Sequence, residues 1–239
     1  MTKSAPPKRL LGRVKGVVFD LDDTLVLSTV DYVRFKKLMI ERMALEGEDP
    51  GSYDPTEGII QLISRFRDSM EARGKSSTWI EKVLEELNDI MDKVEMERVQ
   101  ETVGIPGAKE LLETIRERGI KIGVLTRGCE SYATKVLELT GLLEFVDDIE
   151  GRNSKVPPKP HPEPYWRLVG RLGLNARDTV FVGDHHLDAT CARAAGVPFI
   201  GVRTGDLAER ELREIGSVEV FDSVADMGPW LAQVLDDSD

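Results

Sequence analysis

Short apolar runs alternate with amphipathic segments of about ten residues over the second half of this chain, and this alternation limits the possible folds strongly. From about residue 105 onward, glycine or proline separates most runs from the next. The predicted strands are 120–126, 179–183 and 198–202, a weaker candidate at 145–149, and a buried run at 17–19. The predicted helices run from Pro106 to Gly119, over about 129–139, up to about Arg171, and over about 187–195. Strands alternating with such helices predict an α/β fold, a doubly wound parallel sheet with helices on both faces.

Residues from about 28 to 100 interrupt this alternation, because they contain no convincing strand. Apolar side chains recur there at helical spacing in three runs, of which the third is the clearest amphipathic pattern. The runs are Tyr32, Phe35, Met39 and Met43, then Ile59, Ile60, Ile63 and Phe66, then Ile80, Val83, Leu84, Leu87, Ile90, Met91 and Val94. Thr78 and Glu81 predict a capping box for the third helix. We therefore expect a tail at 1–13, an α/β core at 14–27 and 101–239, and an all-helical insert at 28–100.

Charge and composition argue against several classes of function. With 32 basic and 43 acidic residues, the chain has a net charge of −11, which disfavours broad contact with nucleic acid. No uncharged stretch approaches the roughly 20 residues of a membrane helix, and no apolar segment typical of a signal peptide follows the basic N-terminus. Cys129 and Cys191 make no disulfide framework, so we expect a cytoplasmic protein. An anionic ligand would need a local cation to offset the net charge.

The first polar segment with chemical potential follows the run 17–19. It contains Asp20, Asp22, Asp23 and Thr24. Two carboxylates two residues apart in a loop can point into one site, one as a nucleophile and the other as an acid/base. The alternative is an acidic loop in which Asp23 or Thr24 caps the next helix.

Two further segments are weaker indications of a functional site when each is considered alone. Thr126 ends its predicted strand and precedes Arg127 and Gly128, so a hydroxyl and backbone N–H groups can hold a phosphate there, or simply cap a helix. Lys159 lies in the proline-rich loop 156–164, which fixes the path of the backbone and can hold one cation in place. The alternative for Lys159 is a solvated side chain.

The fourth segment follows the predicted strand 179–183. Asp184 and Asp188, after Gly183, are four residues apart at a strand end and suit a hard cation such as Mg²⁺, which prefers oxygen ligands. The alternative is a Gly-Asp turn with an exposed acid at a helix start. Side chains at neighbouring positions are expected to point apart, so for His185 and His186 we expect polar roles at the mouth of the site or a plain surface rather than a transition-metal site.

The order of these four segments resembles the order of the motifs in the haloacid dehalogenase-like superfamily. The segments are Asp-x-Asp-x-Thr, a strand-ending threonine, a lysine and Gly-Asp-x-x-x-Asp. The resemblance covers about residues 14 to 225, and its first and fourth motifs are specific in combination. It implies a Rossmann-like core in which the helical insert is the cap domain. Length and cap look most like the phosphoglycolate phosphatase-like members.

The resemblance also implies roles for individual residues. Asp20 would be the nucleophile that becomes phosphorylated, and Asp22 would be the general acid and base. Thr126 and Lys159 would bind the phosphoryl oxygens, and we expect Arg127, where the family has a different residue, to add positive charge there and bind them as well. Mg²⁺ would be bound by the Asp20 carboxylate, the Asp22 backbone carbonyl and Asp184. Supporting positions would be Thr24, Gly128, Gly183 and Asp188.

The second carboxylate of the first motif decides between chemistries within this family. Dehalogenases lack it, so Asp22 favours phosphoryl transfer, and the expected function is a Mg²⁺-dependent phosphatase for a small phosphorylated metabolite. A phosphomutase and a non-catalytic regulator that binds a phosphorylated ligand remain as alternatives. This chain departs from the family at two positions: Arg127 replaces a common asparagine, and His185 replaces a small residue.

Substrate selection is expected in the cap, since closure over the core would exclude water and contact the leaving group. The candidate contacts are His185 in the core and Tyr32, Arg34, Lys36, Lys37 and the loop around Tyr53 in the cap. The alternative for each cap residue is a solvated helix face or a core aromatic. We expect no nucleic-acid or membrane partner, and both a monomer and a homodimer remain open.

Overall fold

The computed structural model describes residues 14–154 and 156–236, so the predicted tail at 1–13 lies outside the described residues. The chain forms two compact units. Thr29–Val99 makes one of them, and the segments before and after it make the other, here called the core unit. Within the described ranges, no helix is both long and apolar enough to cross a bilayer.

The strands of the core unit form one large sheet and one small ribbon. Their bounds are β1 Gly16–Phe19, β2 Val26–Leu27, β3 Val103–Gly104, β4 Lys121–Leu125, β5 Asp148–Glu150, β6 Thr179–Gly183, β7 Phe199–Val202 and β8 Glu219–Phe221. Six of these described strands form a sheet in the order β5-β4-β1-β6-β7-β8, and every neighbouring pair in it is parallel. The antiparallel ribbon pairs β2 with β3.

Strand β1 lies in the middle of the sheet, because Phe19 pairs with Val124 of β4 on one side and with Val182 of β6 on the other. All residues of β1, β6 and β7 are buried, as expected for strands covered by helices on both faces. Counted along the chain within this sheet, the strand order is 3-2-1-4-5-6, and its direction reverses between β1 and β6. Ligands bind at such a reversal in open α/β sheets. The predicted doubly wound, Rossmann-like parallel sheet is confirmed.

The described helices alternate with the strands in the core unit and follow one another in the other unit. Their bounds are α1 Tyr32–Ala44, α2 Ile59–Ala72, α3 Ser77–Glu97, α4 Ala108–Glu117, α5 Glu130–Thr140, α6 Glu163–Arg171, α7 His186–Ala195, α8 Glu209–Glu214 and α9 Met227–Asp236. Gly141 and Gly196 end α5 and α7 with φ angles of 68° and 75°, a left-handed conformation that glycine adopts readily. The glycine signals in the sequence therefore predicted these ends correctly.

Several features of the core unit differ from the sequence prediction, and β8, α8 and α9 were not predicted at all. The weak strand predicted at 145–149 is displaced, since Leu143–Phe145 forms a 3₁₀ turn and β5 begins only at Asp148. The N–H of Val146 donates to the Leu143 carbonyl at 3.1 Å, so the first residues of the predicted strand close this turn. The β2–β3 ribbon was not predicted, because two-residue strands are too short to show a periodicity.

The helical unit consists of α1, α2 and α3 around an apolar core of its own. Phe35 and Met39 of α1, Phe66 of α2 and Leu87 of α3 are buried in that core. These residues belong to the three runs at helical spacing, so the predicted helices are confirmed. No strand occurs among residues 29–99.

The capping box predicted at Thr78 and Glu81 is wrong. Helix α3 begins at Ser77, and its N-cap is Ser76, whose hydroxyl accepts a hydrogen bond from the N–H of Trp79 at 3.3 Å. Thr78 therefore lies inside the first turn. The side chain of Glu81 instead accepts from Arg67 of α2 at 2.8 Å.

Candidate active site

The carboxyl ends of the two central strands hold the residues of the first and fourth motifs. Asp20 follows β1, and its N–H donates to the carbonyl of Val182 in β6 at 2.8 Å. Asp184 follows β6 directly. The sheet therefore places both carboxylates at the point where the strand order reverses, as the sequence predicted from the strand ends.

Three carboxylates meet at this edge of the sheet. One oxygen from each of Asp20, Asp184 and Asp188 lies within 4.8 Å of the others. All three residues are buried, with 8%, 6% and 1% of their surface exposed. Carboxylates are rarely buried together without a cation, because desolvation and mutual repulsion both disfavour the charged form. An oxygen-only cluster of this kind suits a hard divalent cation.

Lys159 supplies one positive charge to this cluster. Its ammonium donates to Asp20 Oδ1 at 2.6 Å and to Asp188 Oδ1 at 2.7 Å, and the residue is 2% exposed. Burial lowers the pKa of the Lys159 ammonium, but Asp188 and Asp20 raise it by more, so the net pKa lies above its usual range. The ammonium also lies 5.4 Å from the ring centroid of Phe181. The solvated surface lysine, the alternative from the sequence, is therefore wrong.

The carboxylates are strained electrostatically despite this lysine. Burial, followed by the charge of Asp188, raises the pKa of Asp184 to about 7. Burial and then Asp188 also raise the pKa of Asp20 well above its usual range, against the lowering effect of Lys159. One ammonium does not balance the buried negative charge, so the site favours a further cation.

The Asp184 carboxylate is held by residues from two other loops. Thr24 donates from its hydroxyl to Asp184 Oδ1 at 2.9 Å, so Thr24 supports the site and does not cap a helix. Gly205, in the loop after β7, approaches closely: a Cβ there would stand 1.9 Å from Asp184 Oδ2. The Thr204 hydroxyl bonds to the carbonyl of Asp23. Thr204 and Gly205 were not predicted from the sequence, although a glycine shortly after a strand end was the available signal.

Asp188 is held at the start of α7. Its Oδ2 accepts from the N–H of His185 at 3.1 Å, so the side chain closes a capping box for this helix. Gly183 leaves the space for this carboxylate, since a Cβ there would stand 2.5 Å from Asp188 Oδ2. The alternative of an exposed acid at a helix start is wrong for Asp184 and Asp188, because both are buried.

Asp22 and Asp23 diverge from each other in the first-motif loop. Asp22 is partly exposed, and its Oδ1 accepts a hydrogen bond from the Tyr132 hydroxyl at 2.7 Å. Asp23 has a φ angle of 55° and accepts from the N–H of Ser28 at 3.1 Å, so it closes a turn instead of capping a helix. Tyr132 was likewise not predicted from the sequence.

The second-motif loop lies beside Lys159. Thr126 is buried and its hydroxyl accepts from the N–H of Gly128 at 2.9 Å. The Arg127 guanidinium donates to the backbone carbonyl of Lys159. Arg152 in turn donates to the Arg127 carbonyl at 2.7 Å. Arg127 thus joins the loops that carry Thr126 and Lys159.

The remaining candidate contacts lie in both units. His185 Nδ1 accepts from the N–H of Leu187 at 3.2 Å, and burial, then His186, lowers the His185 pKa, which favours a neutral ring. The rings of His185 and His186 lie 4.0 Å apart between centroids, so the expectation that these neighbours point apart is wrong. In the helical unit, Tyr32 is 45% exposed. Arg34 forms two hydrogen bonds with Glu97, at 2.8 and 3.0 Å.

A Rossmann-like parallel sheet with a buried acidic cluster and a lysine at its strand-order reversal is the architecture of α/β enzymes that bind a ligand at the carboxyl ends of their strands. The chain belongs to the haloacid dehalogenase-like hydrolase family, whose model matches residues 17–202. This match confirms both the family predicted from the four motifs and the expectation that the chain is a hydrolase.

Similar proteins carry one recurrent name. The phosphoglycolate phosphatase of Yersinia pseudotuberculosis is 30% identical over 195 residues, which cover 80% of this chain and 82% of that protein. The phosphoglycolate phosphatase of Rhodospirillum rubrum is 36% identical over 126 residues, and that alignment spans about half of either chain, 53% of this one and 52% of the relative. The crystal structure of a predicted phosphoglycolate phosphatase from Haemophilus somnus 129pt matches with a TM-score of 0.62 at 23% identity, covering 92% of this chain and 98% of that one.

Proposed function

We propose that this chain is a Mg²⁺-dependent phosphatase that hydrolyses a small phosphorylated metabolite through a phosphorylated Asp20. The observation that carries the proposal is the position of the Asp20 carboxylate, 2.6 Å from the buried ammonium of Lys159 and within the acidic cluster. A carboxylate nucleophile needs neighbours that offset the charge of an incoming phosphate. The relatives named phosphoglycolate phosphatase support the same substrate class.

The cluster fits a magnesium ion. Its donors are carboxylate oxygens, it has more negative than positive charge, and the pKa of Asp184 is raised to about 7, so binding a cation would relieve repulsion. Asp20, Asp184 and the backbone carbonyl of Asp22 would hold the ion, and Asp188 would support it. When bound, Mg²⁺ would neutralise phosphoryl charge. Together with Lys159, it would make a cationic pocket in a protein of net charge −11.

In the first half-reaction, an oxygen of the Asp20 carboxylate attacks phosphorus and the bond from phosphorus to the leaving oxygen breaks. Asp22, protonated, gives its proton to that oxygen, so the product leaves as an alcohol. Lys159 and Thr126 hold the phosphoryl oxygens while charge spreads over them. Arg127 keeps the Lys159 backbone in place through its hydrogen bond to the carbonyl.

In the second half-reaction, Asp22 is a carboxylate and accepts a proton from a water molecule. The water oxygen bonds to phosphorus, and the bond between phosphorus and Asp20 breaks. Inorganic phosphate leaves and both aspartates return to their starting protonation states. The partial exposure of Asp22, unlike the burial of Asp20, supports this role, since the acid/base must meet both leaving group and water.

We propose that the helical unit is the cap and selects the substrate. Phosphoglycolate is the first candidate, because two of the similar proteins bear its name. Tyr32, Arg34, Lys36 and Lys37 in the cap, and His185 in the core, are the candidate contacts. Three of the cap residues are cationic, which suits a substrate with a second anionic group. Because Arg34 is paired with Glu97 and the Lys36 ammonium donates to the Glu57 carbonyl at 3.0 Å, Lys37 is the first candidate among them.

The test is phosphate release from phosphoglycolate, sugar phosphates, nucleotides and p-nitrophenyl phosphate, with Mg²⁺ or with a chelator. We expect release that requires Mg²⁺ and falls by at least about 10³-fold in Asp20→Asn. Asp147→Asn is the matched control. Asp147 directly precedes β5 at the opposite edge of the sheet and accepts from Lys121 at 2.9 Å, so this variant should keep its activity.

Three other results would contradict the proposal. Isomerised sugar phosphate without released phosphate would identify a phosphomutase. Binding of a phosphorylated compound without any turnover would identify a regulator. Equal turnover by the wild type and Asp20→Asn would remove Asp20 from the reaction.

A further inference from the structure

Tyr132 joins helix α5 to the loop of the first motif. It is the third residue of α5, is fully buried, and donates from its hydroxyl to Asp22 Oδ1 at 2.7 Å. None of the four motifs contains this tyrosine. Its hydroxyl therefore makes a contact with the acid/base of the proposed mechanism that the motifs do not explain.

The ring of Tyr132 is fixed by its surroundings. Gly128 is required for its position, since a Cβ at Gly128 would stand 2.8 Å from Tyr132 Cδ1. The helix that carries the ring begins directly after Cys129, which is also fully buried. A buried ring on a helix keeps its hydroxyl in one place, whereas a side chain on a loop would not.

We propose that Tyr132 is a positioning residue that orients the Asp22 carboxyl group for proton transfer to the leaving group. The inference rests on the proposed function. The phenol proton stays on Tyr132 in both half-reactions and holds Oδ1. Oδ2 is then the oxygen that gives a proton to the leaving group and later takes one from water, and the plane of the carboxyl group is the same in both steps.

The alternative is that the hydrogen bond to Asp22 only stabilises the fold, since any buried tyrosine hydroxyl needs a hydrogen-bond partner. Tyr165, in the same unit, is an example of a buried tyrosine whose hydroxyl has such a structural partner. It is equally buried, and its hydroxyl lies 2.8 Å from the hydroxyl of Thr179, a neutral group at the start of β6. Tyr165→Phe and Tyr132→Phe remove the same atom from equally buried rings, so each is a matched control for the other.

The experiment compares kcat/KM for two substrates that differ in their need for a proton. This ratio reports the steps up to formation of phosphorylated Asp20, in which the leaving group departs. The leaving group of an alkyl phosphate, such as phosphoglycolate or a sugar phosphate, is a strongly basic alkoxide, so it needs a proton from the acid. The phenolate of p-nitrophenyl phosphate leaves without a proton.

For Tyr132→Phe we expect kcat/KM to fall about 10-fold with the best alkyl phosphate and less than about 2-fold with p-nitrophenyl phosphate. Tyr165→Phe should change neither value by more than about 2-fold. In an Asp22→Asn background, Tyr132→Phe should cause no additional loss with the alkyl phosphate, because the group it orients is gone.

An equal loss with both substrates, or no loss with either, would overturn the role of Tyr132. Additive losses in the Asp22→Asn background would overturn it as well. Thermal unfolding of each variant shows whether it is folded under assay conditions, and the ratio between the two substrates is independent of the folded fraction. A wild type that releases no phosphate from either compound would contradict the proposed function itself, which separates the two failures.

Discussion

The two units each bury carboxylate groups, but they balance the negative charge differently. In the helical unit, Glu48 is 9% exposed and accepts hydrogen bonds from the Ser69 hydroxyl at 2.8 Å and from the hydroxyl of Tyr53. It also forms an ion pair with Arg73 at 2.6 Å. One carboxylate there meets one guanidinium and two hydroxyls. In the core unit, three carboxylates share the ammonium of Lys159.

The difference separates a structural site from a functional one. The contacts of Glu48 match its charge and its hydrogen-bonding capacity, so the network fixes the loop between α1 and α2 and needs nothing more. The core cluster has an excess of negative charge among its described residues, and the pKa values of Asp20 and Asp184 are raised. Such an excess costs stability and is maintained where a cation is to be bound.

The largest expected effect comes from removing the ammonium. Lys159→Met leaves three buried carboxylates without a described cation, so in a chelator at pH about 7.5 we expect the free energy of unfolding to fall by about 3–5 kcal/mol. Urea denaturation followed by circular dichroism measures it. Arg73→Met, which removes the guanidinium from Glu48, is the matched change and should cost about 1 kcal/mol, since that arginine is 43% exposed and two hydroxyls remain.

Equal costs for the two variants would remove the distinction between the two sites. If Mg²⁺ restores the free energy of unfolding of Lys159→Met, the distinction between the two sites is strengthened, because a divalent cation replaces the missing positive charge.

The pH dependence of stability is the second prediction. Burial, then Asp188, raises the pKa of Asp184 from 3.8 to about 7, so between these values the folded protein keeps a proton that the unfolded chain releases. Stability from this group is therefore highest below about pH 4 and decreases as the pH rises towards 7. Without metal, we expect the wild type to lose on the order of 1–3 kcal/mol more than Asp184→Asn between about pH 5 and about pH 7.5.

Urea denaturation of both proteins in a chelator measures this difference. Mg²⁺ should remove most of the decrease in the wild type at the higher pH. Parallel pH profiles for the two proteins would show that Asp184 carries no raised pKa.

A third prediction compares one carboxylate from each unit. Asp20→Asn removes one of three like charges, so without metal we expect stability to be unchanged or raised by up to about 1 kcal/mol. Glu48→Gln removes a charge from a balanced network and should cost about 1–3 kcal/mol. Chemical denaturation at one pH gives both values, and a larger cost for Asp20→Asn would reverse the assignment of the two sites.

The last prediction concerns metal binding and the close approach of Gly205. A methyl group there would stand 1.9 Å from Asp184 Oδ2, so Gly205→Ala must displace that carboxylate. We expect the Mg²⁺ concentration for half-maximal activity to rise about 10-fold. Gly170→Ala in α6 is the control, because a Cβ there meets nothing within 4 Å, and an alanine inside a helix is tolerated. Equal metal requirements in both variants would show that Gly205 has no role in the site.

The sequence predicted the parts of the molecule that depend on local pattern. The positions of Asp20, Asp184 and Thr126 at strand ends were predictable, because short apolar runs identify buried strands. Parallel strands then bring their carboxyl ends to one edge of the sheet. The helical insert was recognisable from spacing alone. The order of the motifs then identified the family, which no single motif did.

Contacts that depend on packing were not predictable. Tyr132 is an inward residue of α5, and nothing local distinguishes it from the equally buried Tyr165. Thr204 and Gly205 act through a loop whose approach to Asp184 follows from the sheet order. Ser76, and not Thr78, is the N-cap of α3. Both residue types cap helices, so the sequence could not decide between them and only the path of the chain does.

The most direct test of the account is to locate the covalent phosphate. The protein with Mg²⁺ is mixed with its best substrate, quenched in acid during turnover, digested and analysed by tandem mass spectrometry. We expect one phosphoryl group on Asp20 and none in Asp20→Asn. Phosphate release by the wild type with a phosphoryl group on another residue, or with no covalent phosphate at any time, would contradict it.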